Sequence, residues 1–190
     1  MRIGLLGGSF NPAHEGHRHI ANLARQRLRL TQVWLLVSPG NPLKSQTDMA
    51  SLPQRIAGAR TIADGRRIVA TGVEAALHTR FTFDTVRLLL RRFPRTAFVW
   101  IMGADNLEQL PRWRRWMGIV RLISFAVLPR PTYNHRALAG QAARRLRSFR
   151  CNARDAALLP GMAPGWVFLP ARQNAQSATV LRAAVKGSVP

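Results

Sequence analysis

The chain has 190 residues, 47% of them hydrophobic, and a formal charge of +21 at neutral pH. That size predicts one domain over residues 1–190 with a core of its own. No apolar run approaches the about 20 residues that a membrane span requires, so no membrane partner is expected. The apolar start is broken at Gly7, too early for a signal peptide, and the lone Cys151 has no Cys or His neighbour at metal spacing. Both features predict a cytoplasmic protein in a reducing compartment. Nearly all the positive charge is arginine, because lysine occurs only at 44 and 186. Pairs such as Arg66-Arg67, Arg91-Arg92, Arg114-Arg115 and Arg144-Arg145 are dispersed along the chain, which predicts solvated helix faces ahead of a nucleic-acid surface.

Residues 2–6 form a short apolar run that ends at Gly7-Gly8, the pattern of a buried strand entering a tight turn. Helical spacing of Ile20, Leu23, Ala24 and Leu28 predicts a helix over 15–30, and Val33–Val37 reads as a second buried strand. A Pro/Gly-punctuated loop over 38–51 precedes a helix over 53–63 and a short strand over 67–70. Residues 71–79 read as a loop, 82–93 as a helix and 97–102 as a strongly apolar strand stopping at Gly103. Short helices over 107–116, a strand over 122–128, a basic helix over 134–149, a strand over 167–169 and a final helix over 177–185 complete the alternation. The stretch 152–165, with two prolines and two glycines, is the least regular and is expected to be a surface excursion. Repeated β-then-α segments predict a Rossmann-like, doubly wound α/β fold with a mainly parallel sheet and helices on both faces.

In such sheets ligands bind beyond the C-terminal ends of the strands, so the turn after the first strand is the first place to search. Gly7 and Gly8 permit close backbone approach to a phosphate, Ser9 adds a hydroxyl, and the following helix aims free N–H groups at an anion. His14 and His17 lie three residues apart at that helix start, so both imidazoles can face one spot, and Asn11-Pro12 would pin the turn. Near the other end, Ser177-Ala178-Thr179-Val180-Leu181-Arg182 would cap a helix and offer its N–H groups and the Arg182 guanidinium to a second anion.

The run Gly7-Gly8-Ser9-Phe10-Asn11-Pro12-Ala13-His14-Glu15-Gly16-His17 resembles the signature of the nucleotidyltransferase superfamily, whose His-x-Gly-His element handles nucleotide phosphates. The Ser177–Arg182 run resembles its second phosphate element, Ser-x-Thr-x-x-Arg. Within the superfamily the middle of the chain is similar to the bacterial nicotinate-nucleotide adenylyltransferases. Gly103-Ala104-Asp105 looks like the family's Gly-x-Asp beside the adenosine, and Pro111-Arg112-Trp113 like its Pro-x-Trp, whose indole stacks on the pyridine ring. Arg80–Thr85 looks like its Ser-Tyr-Thr-x-x-Thr segment, with Phe81 in place of the tyrosine, and Asn41-Pro42-Leu43-Lys44 like its Pro-Pro-His-Lys loop, with Leu43 in place of the histidine. Arg55 matches a family arginine, although the residue alone reads equally well as an exposed helix arginine.

The resemblance implies adenylyl transfer from ATP to nicotinate mononucleotide, with deamido-NAD and pyrophosphate as products. It implies catalytic roles for His14, His17, Lys44 and Arg182. ATP would meet Gly7, Gly8, Ser9, Phe10, His17, Gly103, Asp105, Ser177, Thr179 and Arg182, and the nicotinate nucleotide would meet Ser9, Asn41, Lys44, Phe81, Thr82 and Trp113. Mg²⁺ would arrive with ATP, since no acidic cluster in the sequence predicts a protein-built metal site. Nicotinamide mononucleotide and phosphopantetheine are the alternative acceptors, and a non-enzymatic nucleic-acid-binding module is the alternative class. The sequence does not define an oligomeric state, and its end at Pro190, earlier than in most of the family, is that of either a truncated tail or a short branch.

Overall fold

Seven strands form one sheet in the order β3-β2-β1-β4-β5-β7-β6, and every neighbouring pair is parallel. The computed structural model describes residues 1–40 and 49–171. In chain order these hold β1 (Arg2–Gly8), α1 (Glu15–Arg27), β2 (Gln32–Val37), α2 (Leu52–Thr61), β3 (Ile68–Thr71), α3 (Val73–Ala76), α4 (Thr82–Arg92) and β4 (Ala97–Gly103). There follow α5 (Ala104–Gln109), a 3-10 turn (Leu110–Arg112), α6 (Trp116–Leu122), β5 (Ser124–Leu128), α7 (Asn134–Ala139), α8 (Gln141–Arg145), β6 (Arg150–Cys151) and β7 (Trp166–Phe168). The expected doubly wound architecture is present, and the sheet is parallel throughout rather than mainly so.

The near-continuous apolar strands follow from burial on both faces. In β4, Phe98, Trp100 and Met102 join Leu5, Val86, Leu107 and Ile119 in one core layer under α4 to α8. Alternate residues Val99 and Ile101 join Leu6, Ala21, Leu28, Val33 and Leu35 in the other layer, under α1 and α2. Burying each such side chain contributes about 1.5–3 kcal/mol, which is why β4 and β1 are fixed in register at the centre. Among the described residues no helix is long and apolar enough to cross a membrane.

Several expected boundaries are corrected. The basic stretch 134–149 is not one helix: Gly140, with extended backbone (φ −73°, ψ 170°), separates α7 from α8, and a 3-10 turn over Arg147–Phe149 leads into edge strand β6. A Cβ at Gly140 would lie 3.0 Å from the Arg136 carbonyl, so the break is close-packed. The expected loop 71–79 contains α3, and Leu122 ends α6 instead of starting β5. The stretch 152–165 is less superficial than its turn residues imply. Its 3-10 turn (Ala153–Leu158) carries the buried Ala156, Leu159 is buried just after it, and the Ser124 hydroxyl donates to the Leu159 carbonyl (3.1 Å). The predicted last helix, together with Asn41, Lys44, Ser177, Thr179 and Arg182, lies outside the described residues.

Candidate active site

Chain order runs outward in opposite directions from β1 and β4, through β2 and β3 on one side and β5 on the other, so the C-terminal ends of β1 and β4 flank the switch point of the sheet. Both ends are glycines for a steric reason. A Cβ at Gly7 would lie 2.8 Å from Trp100 Cζ2. One at Gly103 would strike Asp105 Oδ1 and lie 2.9 Å from Arg130 Nε. Backbone and side chains therefore crowd together here with no room for a methyl group.

Beyond β1 the chain turns through Phe10 (φ 48°) and the cis bond Asn11-Pro12 into α1. His14 is the N-cap: the Gly16 N–H donates to His14 Nδ1 (3.1 Å), and the His14 N–H donates to His17 Nδ1 (3.3 Å). The two imidazoles thus form a reciprocal capping box, in which histidines take the places usually held by Ser/Thr and Glu/Gln. Their ring centroids are 3.9 Å apart, and the Phe10 ring lies 4.8 Å from that of His17.

Burial first, then the nearby His14 and the Arg130 guanidinium, push the His17 pKa down to about 3. Burial and Arg130 lower His14 as well. Both rings are therefore neutral near pH 7. A neutral imidazole with Nδ1 occupied as an acceptor carries its proton on Nε2. The pair consequently presents two Nε2–H donors, prepared for an anion without adding net charge.

Positive charge is supplied from a third strand end. Arg130 follows β5 and places Nε 3.6 Å from Asp105 Oδ1 in the first turn of α5, and its backbone N–H donates to Asn134 Oδ1 (2.8 Å). The facing Nε and Oδ1 atoms are shielded from solvent, yet neither makes a hydrogen bond among the described residues. Arg130 thereby pairs with the Gly103–Asp105 turn while its charge acts on both histidines.

On the other side of Gly7-Gly8-Ser9 opens a pocket of about 280 Å³. Its walls include Trp100, Trp113, Phe81 and Thr82, with Arg80, Arg112 and Arg114 at the same pocket. Trp113 meets Trp100 edge to face (6.1 Å, 85°), which leaves the indole held at a fixed angle. Glu74, buried in α3, also lines it; the Thr85 hydroxyl donates to Glu74 Oε1 (3.1 Å), and Thr79 and Thr85 share a hydroxyl bond (2.8 Å). Burial pushes the Glu74 carboxyl up to about 7, against the opposing effect of the Thr85 hydrogen bond.

The model of the cytidylyltransferase-like family matches residues 5–184, nearly the whole chain. The chain belongs to the cytidylyltransferase-like family. Two relatives sharpen this placement. A protein of Gluconacetobacter diazotrophicus named "Probable nicotinate-nucleotide adenylyltransferase" is 56% identical over 183 residues, 96% of this chain and 85% of its own. One of the same name from Gluconobacter oxydans is 55% identical over 96% of this chain and 94% of its own. Among solved structures, the Plasmodium falciparum nicotinic acid mononucleotide adenylyltransferase complexed with NaAD superposes with a TM-score of 0.70 at 15% identity, covering 96% of this chain and 82% of that one. At that identity the likeness speaks for the fold.

Within this family member the described site residues fall into two adjoining groups. His14, His17, Gly103 and Asp105 gather around Arg130, whereas Phe81, Thr82 and Trp113 share the pocket; Gly7, Gly8 and Ser9 line it from the switch point. Phe10 is only 2% exposed, so its side chain packs in the core and only its backbone is available to a ligand. Arg55 is not an exposed helix arginine. It is 4% exposed and donates to four carbonyls, those of Ser9 (2.9 Å), Ser38 (2.6 Å), Pro39 (3.3 Å) and Ala50 (2.9 Å).

Arg130, Glu74, Trp100 and Arg114 are absent from the sequence-based site. Arg130 could have been found by applying the strand-end rule to β5 as it was applied to β1 and β4. Glu74 carried no such signal, because its segment reads as a loop.

Proposed function

We propose that this protein transfers the adenylyl group of ATP to the 5′-phosphate of nicotinate mononucleotide, releasing pyrophosphate and forming deamido-NAD. The observation that carries this reading is the continuity of the aromatic pocket with the phosphate turn: Gly7, Gly8 and Ser9 line the same cavity as Trp113, Phe81 and Thr82. A pyridine ring between those aromatic walls places its nucleotide phosphate toward the switch point, where an α-phosphate would lie over the histidine pair. The names of the 56% and 55% identical relatives supply the acceptor.

An oxygen of the acceptor phosphate attacks the α-phosphorus, the bond to the β-phosphate oxygen breaks, and the electron pair leaves on pyrophosphate. A phosphate dianion needs little deprotonation, so the protein's part is alignment and charge stabilisation. The two Nε2–H groups donate to the oxygens on which charge builds, Arg130 adds a guanidinium, and Lys44 and Arg182 share the countercharge on the outer phosphates. Asp105 addresses the adenosine ribose. Among the described residues no group of three or more His, Cys, Asp or Glu could hold a metal. The donors around the switch point suit phosphate oxygens, so Mg²⁺ enters with ATP as part of the substrate. The reading includes a cytoplasmic location and no nucleic-acid partner.

The test is pyrophosphate release from ATP and Mg²⁺ with nicotinate mononucleotide, nicotinamide mononucleotide or phosphopantetheine. The expected result is a kcat/KM with the first at least about tenfold above the second, about 1.4 kcal/mol of discrimination. Preference for either other acceptor, or release with none, would overturn the reading.

A further inference from the structure

Nicotinate mononucleotide and its amide share the ribose and the 5′-phosphate and differ at one group on the ring. Every contact made by the phosphate turn therefore cancels between them, and the choice must be made where the ring lies. At that end of the pocket, Arg114 directly follows Trp113, and both line the cavity.

Arg114 is placed by contacts across the pocket mouth. Its Cζ lies 4.8 Å above the Phe81 ring, and its Nη1 lies 3.6 Å from Asp84 Oδ2 in the first turn of α4. The guanidinium thus bridges the two walls, the Trp113 turn and the start of α4. A guanidinium carries five N–H donors, more than the contacts with Phe81 and Asp84 occupy. At 3.6 Å, Asp84 orients the group without a short hydrogen bond, and with the Arg114 side chain 51% exposed the pair neutralises only part of the charge.

Of the other charged residues that line this pocket, Arg80 and Arg112 add cations, and the buried Glu74 is the acid. Burial raises the Glu74 pKa to about 7, so much of its charge is withheld at neutral pH. The ring end is therefore electropositive, with Arg114 as the cation held in place by contacts on both walls.

Resting on the acceptor reading above, we propose that Arg114 is a specificity-determining residue: held over Phe81 by Asp84, its guanidinium meets the carboxylate of the pyridine acceptor and favours the acid over the amide. A carboxamide in the same position offers only a neutral carbonyl oxygen and brings an NH₂ group toward the cation.

The experiment measures kcat/KM for nicotinate and nicotinamide mononucleotides, with saturating ATP and Mg²⁺, in the wild type and in Arg114→Gln, Arg114→Lys and Asp84→Asn. Arg114→Gln is expected to reduce the acid-to-amide ratio about fivefold, mainly through KM for the acid. Arg114→Lys, which keeps the charge, should retain most of the ratio, and Asp84→Asn, which loosens the guanidinium, should lose part of it. The wild-type ratio should also fall as salt rises. An unchanged ratio in Arg114→Gln, or an equal loss on both acceptors, overturns the proposal and leaves Arg114 a structural link between the walls. A wild type that prefers the amide overturns the acceptor reading itself, and the proposal with it, before any variant is made.

Discussion

Acidification should attack the site through His17. Its pKa is held near 3 in the folded chain, against an ordinary histidine value of 6.5, with burial as the main cause. Because the folded value is depressed, His17 favours folding fully above pH 6.5 and loses that contribution as pH falls toward 3. At about 1.4 kcal/mol per pH unit, bringing the protein from neutrality to about pH 4.5 removes about 2–3 kcal/mol. Protonation at Nδ1 would also break the bond from the His14 N–H and open one half of the α1 cap. Glu74 works in the opposite sense over much of the same range, so the His17 contribution is isolated by comparing urea unfolding of the wild type with that of His17→Gln. The wild-type advantage should shrink as pH falls, while ¹⁵N NMR should report the Nε2–H tautomer for both histidines and no titration of His17 between about pH 5.5 and 7. An Nδ1–H tautomer, a titration of His17 near 6.5, or parallel pH curves for the two proteins would refute the neutral-donor argument.

Gly103→Ala should push Asp105 and Arg130 apart, since the added Cβ strikes the Asp105 carboxylate and approaches Arg130. Steady-state kinetics should show KM for ATP up by about tenfold, with a loss of only about 1–3 kcal/mol in unfolding free energy. Arg55→Met should strip the donor from the Ser9, Ser38, Pro39 and Ala50 carbonyls and cost about 2–4 kcal/mol by urea unfolding, of which Arg55→Lys restores only part. For Glu74 the folded pKa is raised from 4.5 to about 7, so its contribution is full below pH 4.5 and is lost as pH rises through 7. Glu74→Gln should accordingly gain about 2–3 kcal/mol in stability relative to the wild type between about pH 4.5 and pH 8, and a pH-independent difference would refute the assigned shift.

The strongest local patterns match the structure, whereas the break at Gly140 and the short helix α3 do not follow from theirs. The Ala97–Met102 run is buried on both faces, so its apolar continuity announces a central parallel strand, and Gly7-Gly8 after an apolar run announces the end of β1 and a turn. At two other places a tertiary contact outweighs the local pattern. The stretch 152–165 has the composition of a surface loop, yet Leu159 is buried and its carbonyl accepts from Ser124. Arg55 has the type of a surface residue, but it is buried because four carbonyls from separate segments converge on it.

The sequence by itself determined the βα alternation, the Gly7-Gly8 turn and the pairing of His14 with His17, because each depends on residues a few positions apart and on backbone geometry that those residues dictate. Only the tertiary structure decided which charges share the site. Arg130 reaches Asp105 from the end of β5 and its charge lowers both histidine pKa values, and Arg114 reaches Asp84 and Phe81 across the pocket. Strand order sets those distances, and strand order comes from how the whole chain buries its two apolar layers, which no short window of residues specifies.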